Sequence, residues 1–175
     1  MPNQRSSVQE EIKQNRPFHS DGAEVAVGIL RTAALLERQY NQIVTKRGIT
    51  IQQYNVLRIL RGAGKDGMPT LVIRDRMIHE APGITRLVDR LEQAHLARRE
   101  RQTNDRRQVM CYITDKGRAL LNDLDAEVAA ADDAAVCMLD ALQRRQLTEL
   151  LTAVRSGHSR IQMAATAESE ERSEF

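Results

Sequence analysis

From Gly22 to Arg47, apolar residues return every three or four positions: Val25, Ile29, Ala33, Leu36, Tyr40 and Ile43. That spacing predicts one amphipathic helix of about seven turns. A helix this long exceeds what a compact core of this size needs, so part of its apolar face is expected to meet another chain. Gly48 ends it. Thr50-Ile51-Gln52-Gln53 then offers a capping box, in which the Thr50 hydroxyl accepts from the N3 backbone N–H and Gln53 reaches back. Ile49 and Tyr54 flank that box where a hydrophobic staple would stand. The second helix turns Tyr54, Leu57 and Leu60 inward and stops at Gly62-Ala63-Gly64. Thr70 is predicted to cap a short helix reaching Ile78. Another helix runs from Pro82 to about Ala94, with Ile84, Leu87, Val88 and Leu91 on one face.

Beyond Ala94 the helical period gives way to two short extended segments, Leu96–Arg101 and Gln108–Ile113, around the polar turn Thr103-Asn104-Asp105. Helical spacing resumes after Asp115-Lys116-Gly117 through Leu120, Leu124, Val128, Ala131, Ala135 and Met138. A last helix spans roughly Asp140 to Arg155, with Gly157 as its stop. Residues 1–20 read as a polar arm, and 157–175 as an acidic, disordered tail. The fold class is therefore mainly α with a small β-hairpin. A helix pair followed by a basic hairpin is the layout of a winged helix-turn-helix, here at about 50–117. Helices at about 22–47 and 115–156 flank it as an N- and C-terminal helical dimerisation region, all within one domain over 21–156.

Composition supports a helical chain: 41% of residues are apolar, but only 3% are aromatic and none is Trp. The first residues, MPNQRSSVQEE, contain no apolar leader segment, and no apolar run approaches the roughly 20 residues of a membrane span. A cytoplasmic location is expected, with no membrane partner. Net charge is only +2, yet between residues 50 and 118 there are 14 Lys/Arg against 8 Asp/Glu, out of 26 and 24 in the whole chain. A basic middle between acidic flanks suits a phosphate-facing module carried on a scaffold.

Other chemistries find little support. Cys111 and Cys137 share no metal-ligand spacing, and a core role is expected for both; Cys111 alternates with Val109 and Ile113 on the hairpin's inner side. His19, His79, His95 and His158 are dispersed, so no metal site is expected. Gly62-Ala63-Gly64-Lys65 lacks the spacing and the preceding strand of a phosphate loop. No activated-nucleophile motif is present, so the chain is read as non-enzymatic, with no catalytic residue and no cofactor.

The helix beginning at Pro82 carries the candidate chemistry. Its polar face presents Gly83, Arg86, Asp89, Arg90 and Gln93, with Thr85 at the border. Pro82 suits a first helical position because it has no N–H to leave unpaired, and Gly83 allows close approach to a sugar-phosphate edge. Arg86 can bond guanine O6 and N7 together, and Thr85 can donate to phosphate or touch a thymine methyl. Alternatively this is an ordinary solvated face in which Asp89 pairs with Arg86 or Arg90. The hairpin favours the first reading: Arg98, Arg99 and Arg101 lie on its first strand. At its tip Asp105 can hold an arginine so that Arg106 or Arg107 projects toward a narrow minor groove. Double-stranded DNA is the expected partner. A helical dimerisation or adaptor protein and a redox-responsive regulator are the competing readings.

Two segments, ITRLVDRLE at 84–92 and DRRQVMCYITDKG at 105–117, resemble the multiple-antibiotic-resistance regulator (MarR) family of bacterial transcription factors. The second is similar to the family's Asp-x-Arg wing followed by Leu/Ile-Thr-x-x-Gly, and the helix order extends the likeness over about 22–156. The resemblance implies a homodimer whose first and last helices interlock and which reads a pseudo-palindromic site. It also implies a repressor released by a small-molecule effector or by oxidation. Carried over by position, Pro82, Gly83, Thr85 and Arg86 fall at the base-reading end of the recognition helix, while Asp105 and Arg107 match the wing motif and Arg106 lies between them. The family often has Ser or Thr where this chain has Pro82-Gly83. The first helix lacks the cysteine of the peroxide-sensing branch, and the chain lacks the tryptophan of the urate-responsive branch. An effector pocket is expected where the first, second and long fifth helices meet the winged part, with Arg31, Tyr40 and Tyr54 as candidate polar liners.

Overall fold

Helices dominate the computed structural model, which describes residues 7–101 and 109–173, with side chains at 7–100 and 109–157. The chain divides into two compact units, 1–131 and 132–175. In the first, α1 (Val8–Glu11) is a single turn closed by a capping box between Ser7 and Glu10, inside the segment read as an arm. Ser20 caps α2 (Asp21–Thr45) by accepting from the Ala23 N–H. Next come α3 (Ile51–Ala63), β1 (Met68–Pro69), α4 (Thr70–Asp75), α5 (Ile84–Gln93), β2 (Ala97–Arg101), β3 (Val109–Ile113) and α6 (Asp115–Ala135). The second unit holds the end of α6 and α7 (Ala141–Ser173).

The capping box at α3 forms as its sequence dictates: Thr50 Oγ1 accepts from Gln53 N at 3.2 Å, and Gln53 Oε1 accepts from Thr50 N at 2.9 Å. Thr70 does not cap α4, because Pro69 takes the N-cap position and makes no side-chain bond. The Thr70 hydroxyl instead turns into the sheet, 3.4 Å from Cys111 Sγ. Helix α4 stops at Asp75, short of the Ile78 expected, and α5 begins at Ile84, so Pro82 and Gly83 form the preceding turn rather than the first helical positions.

The hairpin gains a third strand, in the order β1-β3-β2, all antiparallel. Two residues are too few for β1 to show an alternating pattern, and its pairing of Met68 with Cys111 is purely a tertiary contact. Gly67, at φ 66°, brings the chain against the Tyr112 ring, where a side chain would collide. In β2–β3, Arg99 stands opposite Cys111 and Arg98 opposite Tyr112.

The core lies among α3, α5, the sheet's inner face and α6. Val44, Val56, Leu57, Leu60, Ile73, Val88, Leu91, Leu121 and Leu124 are fully buried there. Burial of such side chains stabilises by roughly 1.5–3 kcal/mol each. Ion pairs tie the first unit's helices at the surface: Arg61 clamps Asp125 through two bonds of 2.8 and 2.9 Å, and Lys46 and Arg47 both reach Glu127. The Arg61 guanidinium holds the Asp125 carboxyl below the usual carboxylate range.

Two expectations are corrected. Gly157 does not stop the last helix, which continues to Ser173 instead of breaking into a disordered tail. A single helical glycine costs only about 1 kcal/mol against alanine, and the Ala, Glu, Gln, Met and Arg that follow are good helix formers without a proline. Cys137 is exposed, not core, and stands in the turn after α6 ends at Ala135. In α2 only Ile43 and Val44 are buried, and Val25, Leu30 and Leu35 are exposed in this single chain. Among the described residues no helix is long and apolar enough to cross a membrane.

Candidate nucleic-acid interface

The exposed face of α5 follows from its own periodicity. Ile84, Val88 and Leu91 are buried and fix the helix to the core, so Thr85, Arg86 and Arg90 emerge on the exposed side. Arg86 and Arg90, four residues apart, share one stripe. Pro82 and Gly83 are exposed in the turn just before it. Gly83 is the N-cap and provides no side-chain bond to the helix.

Asp89 does not neutralise either arginine of that stripe. It pairs with Arg99 of β2, Oδ1 to Nη1 at 2.6 Å. Arg99 also meets Glu92: Nη2 and Nε donate to Oε2 at 2.6 and 2.9 Å, and the backbone N–H donates to Oε1 at 3.0 Å. One arginine therefore takes up both acids of α5 and binds β2 to it. Glu92 is held below the ordinary glutamate range by Arg99, and the two acids raise the guanidinium further. Among the described residues, Arg86 and Arg90 have no carboxylate partner.

The sequence reading missed this clamp. Its enabling feature is a helix end made without glycine: His95 adopts φ 59°, His95 N donates to Glu92 O at 2.9 Å and Leu96 N to Leu91 O at 2.8 Å. That is the Schellman pattern, and it reverses the chain so that β2 runs back along α5. The signal available in sequence was only the seven-residue interval between an acid and an arginine across a short turn.

Along the outer face of β2, Arg98 lies 4.3 Å from the centre of the Tyr112 ring and pairs with Glu100. The predicted wing residues Asp105, Arg106 and Arg107 lie outside the described residues. Cys111 is fully buried as expected, and burial pushes its thiol up.

A cavity of about 220 Å³ opens between α2 and α3, lined by Ala33, Leu36, Tyr40, Ile51 and the Met77–His79 segment. Helix α6 does not contribute to its wall. Of the expected liners only Tyr40 is there. Arg31 pairs with Glu11 at 3.3 Å, and Tyr54 is buried in the core with its hydroxyl accepting from Arg58 at 2.9 Å.

Comparison with known proteins places this architecture. A family model described as transcriptional regulator SarA/Rot matches residues 38–124. The HTH-type transcriptional regulator MhqR of Bacillus subtilis is 32% identical over 132 residues, covering 71% of this chain and 90% of that protein. A MarR transcription factor from Planctomyces limnophilus is 35% identical with a TM-score of 0.61, covering 78% of this chain and 99% of its own. BpsR of Bordetella bronchiseptica, whose DNA binding is regulated by 6-hydroxynicotinic acid, shares the fold at 20% identity, a TM-score of 0.68, and 75% and 98% coverage. The helix order, the wing and these relatives agree: the chain belongs to the MarR family of winged helix-turn-helix DNA-binding transcriptional regulators.

Proposed function

We propose that this regulator acts as a homodimeric, sequence-specific repressor that a small molecule releases from its site. The observation that carries the reading is the stripe on α5 that has no carboxylate partner among the described residues. With Asp89 and Glu92 committed to Arg99, Arg86 and Arg90 face solvent. In the bound state Arg86 and Thr85 contact base edges, Arg90 contacts phosphate, and Pro82 and Gly83 let the helix entry approach the backbone. Asp105 orients the wing so that Arg106 or Arg107 enters the adjacent minor groove.

Dimerisation rests on apolar surface that a single chain leaves uncovered. In α2 this is Val25, Leu30 and Leu35; in α7, considered by itself, it is Leu142, Leu150 and Val154. In this reading the winged part spans about 50–117 and the helices at about 22–47 and 115–156 pair with those of a second copy. Two readers held that way meet half-sites about one DNA turn apart, on a pseudo-palindrome. The α2–α3 cavity is the effector site, and BpsR offers a precedent for a ligand that controls DNA binding. An effector acts by favouring a spacing of the two α5 helices that DNA does not accept.

The test reverses charge at Arg86 and Arg107 to Glu and measures duplex affinity against salt, with mass in solution as the control. Loss of duplex binding at unchanged dimer mass is expected. Unchanged, salt-sensitive affinity would sink the proposal.

A further inference from the structure

Arg99 commits every nitrogen of its guanidinium to α5. Nη1 reaches Asp89 Oδ1 at 2.6 Å, while Nη2 and Nε donate to Glu92 Oε2 at 2.6 and 2.9 Å. The two acids are held differently, because the Arg99 backbone N–H also donates to Glu92 Oε1, at 3.0 Å. Glu92 thus anchors the arginine by its main chain and two side-chain nitrogens, and the third nitrogen is presented to Asp89. On β2, Arg99 stands opposite the buried Cys111. It is the more covered partner, with a side chain 29% exposed against 40% for Asp89.

Helix spacing says where Asp89 turns when Arg99 is taken away. Side chains three or four residues apart on a helix meet, and those one or two apart do not. Asp89 follows Arg86 by three residues and directly precedes Arg90. Glu92 is six residues from Arg86 and two from Arg90, in register with neither. Asp89 is therefore the one acid of α5 able to close on Arg86. That pair would occupy the same guanidinium fork that a bidentate bond to guanine needs.

We propose that Arg99 is a positioning residue for DNA reading: without touching DNA, it draws Asp89 away from Arg86 and so keeps the Arg86 guanidinium open to a base edge. This rests on the DNA-contact role proposed above for Arg86. Glu92 serves as the anchor that aims Arg99 at Asp89.

The full chain is tested by fluorescence anisotropy on a duplex selected from a random pool and on an unrelated duplex of equal length. Dimer mass and Tm are followed for every variant. Arg99→Gln should weaken binding to the selected duplex roughly two- to fivefold, since an exposed pair at this spacing shifts an equilibrium by up to about twofold at each of two readers. Discrimination between the two duplexes should narrow as well. Adding Asp89→Asn to Arg99→Gln should restore both affinity and discrimination. Adding Glu92→Gln instead brings the same net charge and should restore less, because Glu92 is out of register with Arg86. If Arg99→Gln does not fold, the same additions are made to Arg99→Lys, whose ammonium keeps the charge beside Glu92 but lacks the fork.

Unaltered affinity and discrimination in the folded Arg99 variant overturn the inference. So does a loss that Asp89→Asn deepens or leaves in place, which would mark Arg99 as a mechanical tie or a direct DNA contact. Equal rescue by Asp89→Asn and Glu92→Gln would reduce the effect to net charge and overturn the pairing with Arg86. Arg86→Glu separates this inference from the reading beneath it. If that variant loses the duplex while the Arg99 variant behaves as the unaltered chain, only the role of Arg99 falls. If Arg86→Glu binds as before, the DNA contact itself falls, and the role of Arg99 with it.

Discussion

Replacing Gly117 with alanine sets two known effects against each other, and the structure decides between them. Gly117 lies in the first turn of α6, where helix propensity alone favours alanine by about 1 kcal/mol. A Cβ built there, however, collides with the Leu96 carbonyl oxygen and comes within 2.9 Å of Ile113 Cγ1. Neither neighbour is free to yield. Leu96 O accepts from Thr114 N at 3.1 Å, and Leu96 N is committed to Leu91 O at the end of α5. Ile113 is buried in the core. Overpacking of this kind costs about 1–3 kcal/mol, and displacing the Leu96–Thr114 bond adds about 0.5–1.5 kcal/mol. The balance is a loss of about 0.5–3.5 kcal/mol. At about 2–4 °C per kcal/mol for a chain of this size, Gly117→Ala should lower Tm by roughly 1–14 °C, read by calorimetry or circular dichroism. A Tm equal to or above that of the unaltered chain would refute the reasoning, because propensity would then have prevailed over the backbone contact.

Two further outcomes follow from the same geometry. Glu92→Gln removes the charge that Arg99 grips, in a partly solvated setting where such pairs are worth about 1 kcal/mol or less, so urea unfolding at pH 7 should show a loss of that order. Glu92 has a lowered pKa in the fold, so its contribution is present above the ordinary glutamate value of about 4.3 and fades as pH falls through the lowered one. The difference between the two proteins should accordingly vanish in acid, and a difference that persists there would exclude the ionic explanation. Native thiol labelling should modify Cys137 and spare Cys111, whose sulfur is fully buried and whose thiol is pushed up by that burial. Mass spectrometry after brief maleimide treatment distinguishes the two, and early labelling at Cys111 would show that the sheet opens readily.

Much of the reading head could be seen in the chain itself. The capping box at Thr50, the buried stripe of Ile84, Val88 and Leu91, and the burial of Cys111 all depend on neighbours within a few residues. So did the outward placement of Thr85, Arg86 and Arg90, because a helix with one buried side fixes its other side. Contacts between distant segments decided the rest. Asp89 looked like a partner for Arg86 or Arg90, but the left-handed turn at His95 delivers Arg99 to it, and no local pattern marks that turn. Strand β1 exists only because β3 is there to pair with it. Gly117 looks like a poor helix residue until the Leu96 carbonyl is seen against it. The sequence by itself determined most of the helices, the two hairpin strands and the buried face of α5, since periodicity and capping are local. The tertiary structure alone decided which charges are paired inside the fold and which stay exposed on α5.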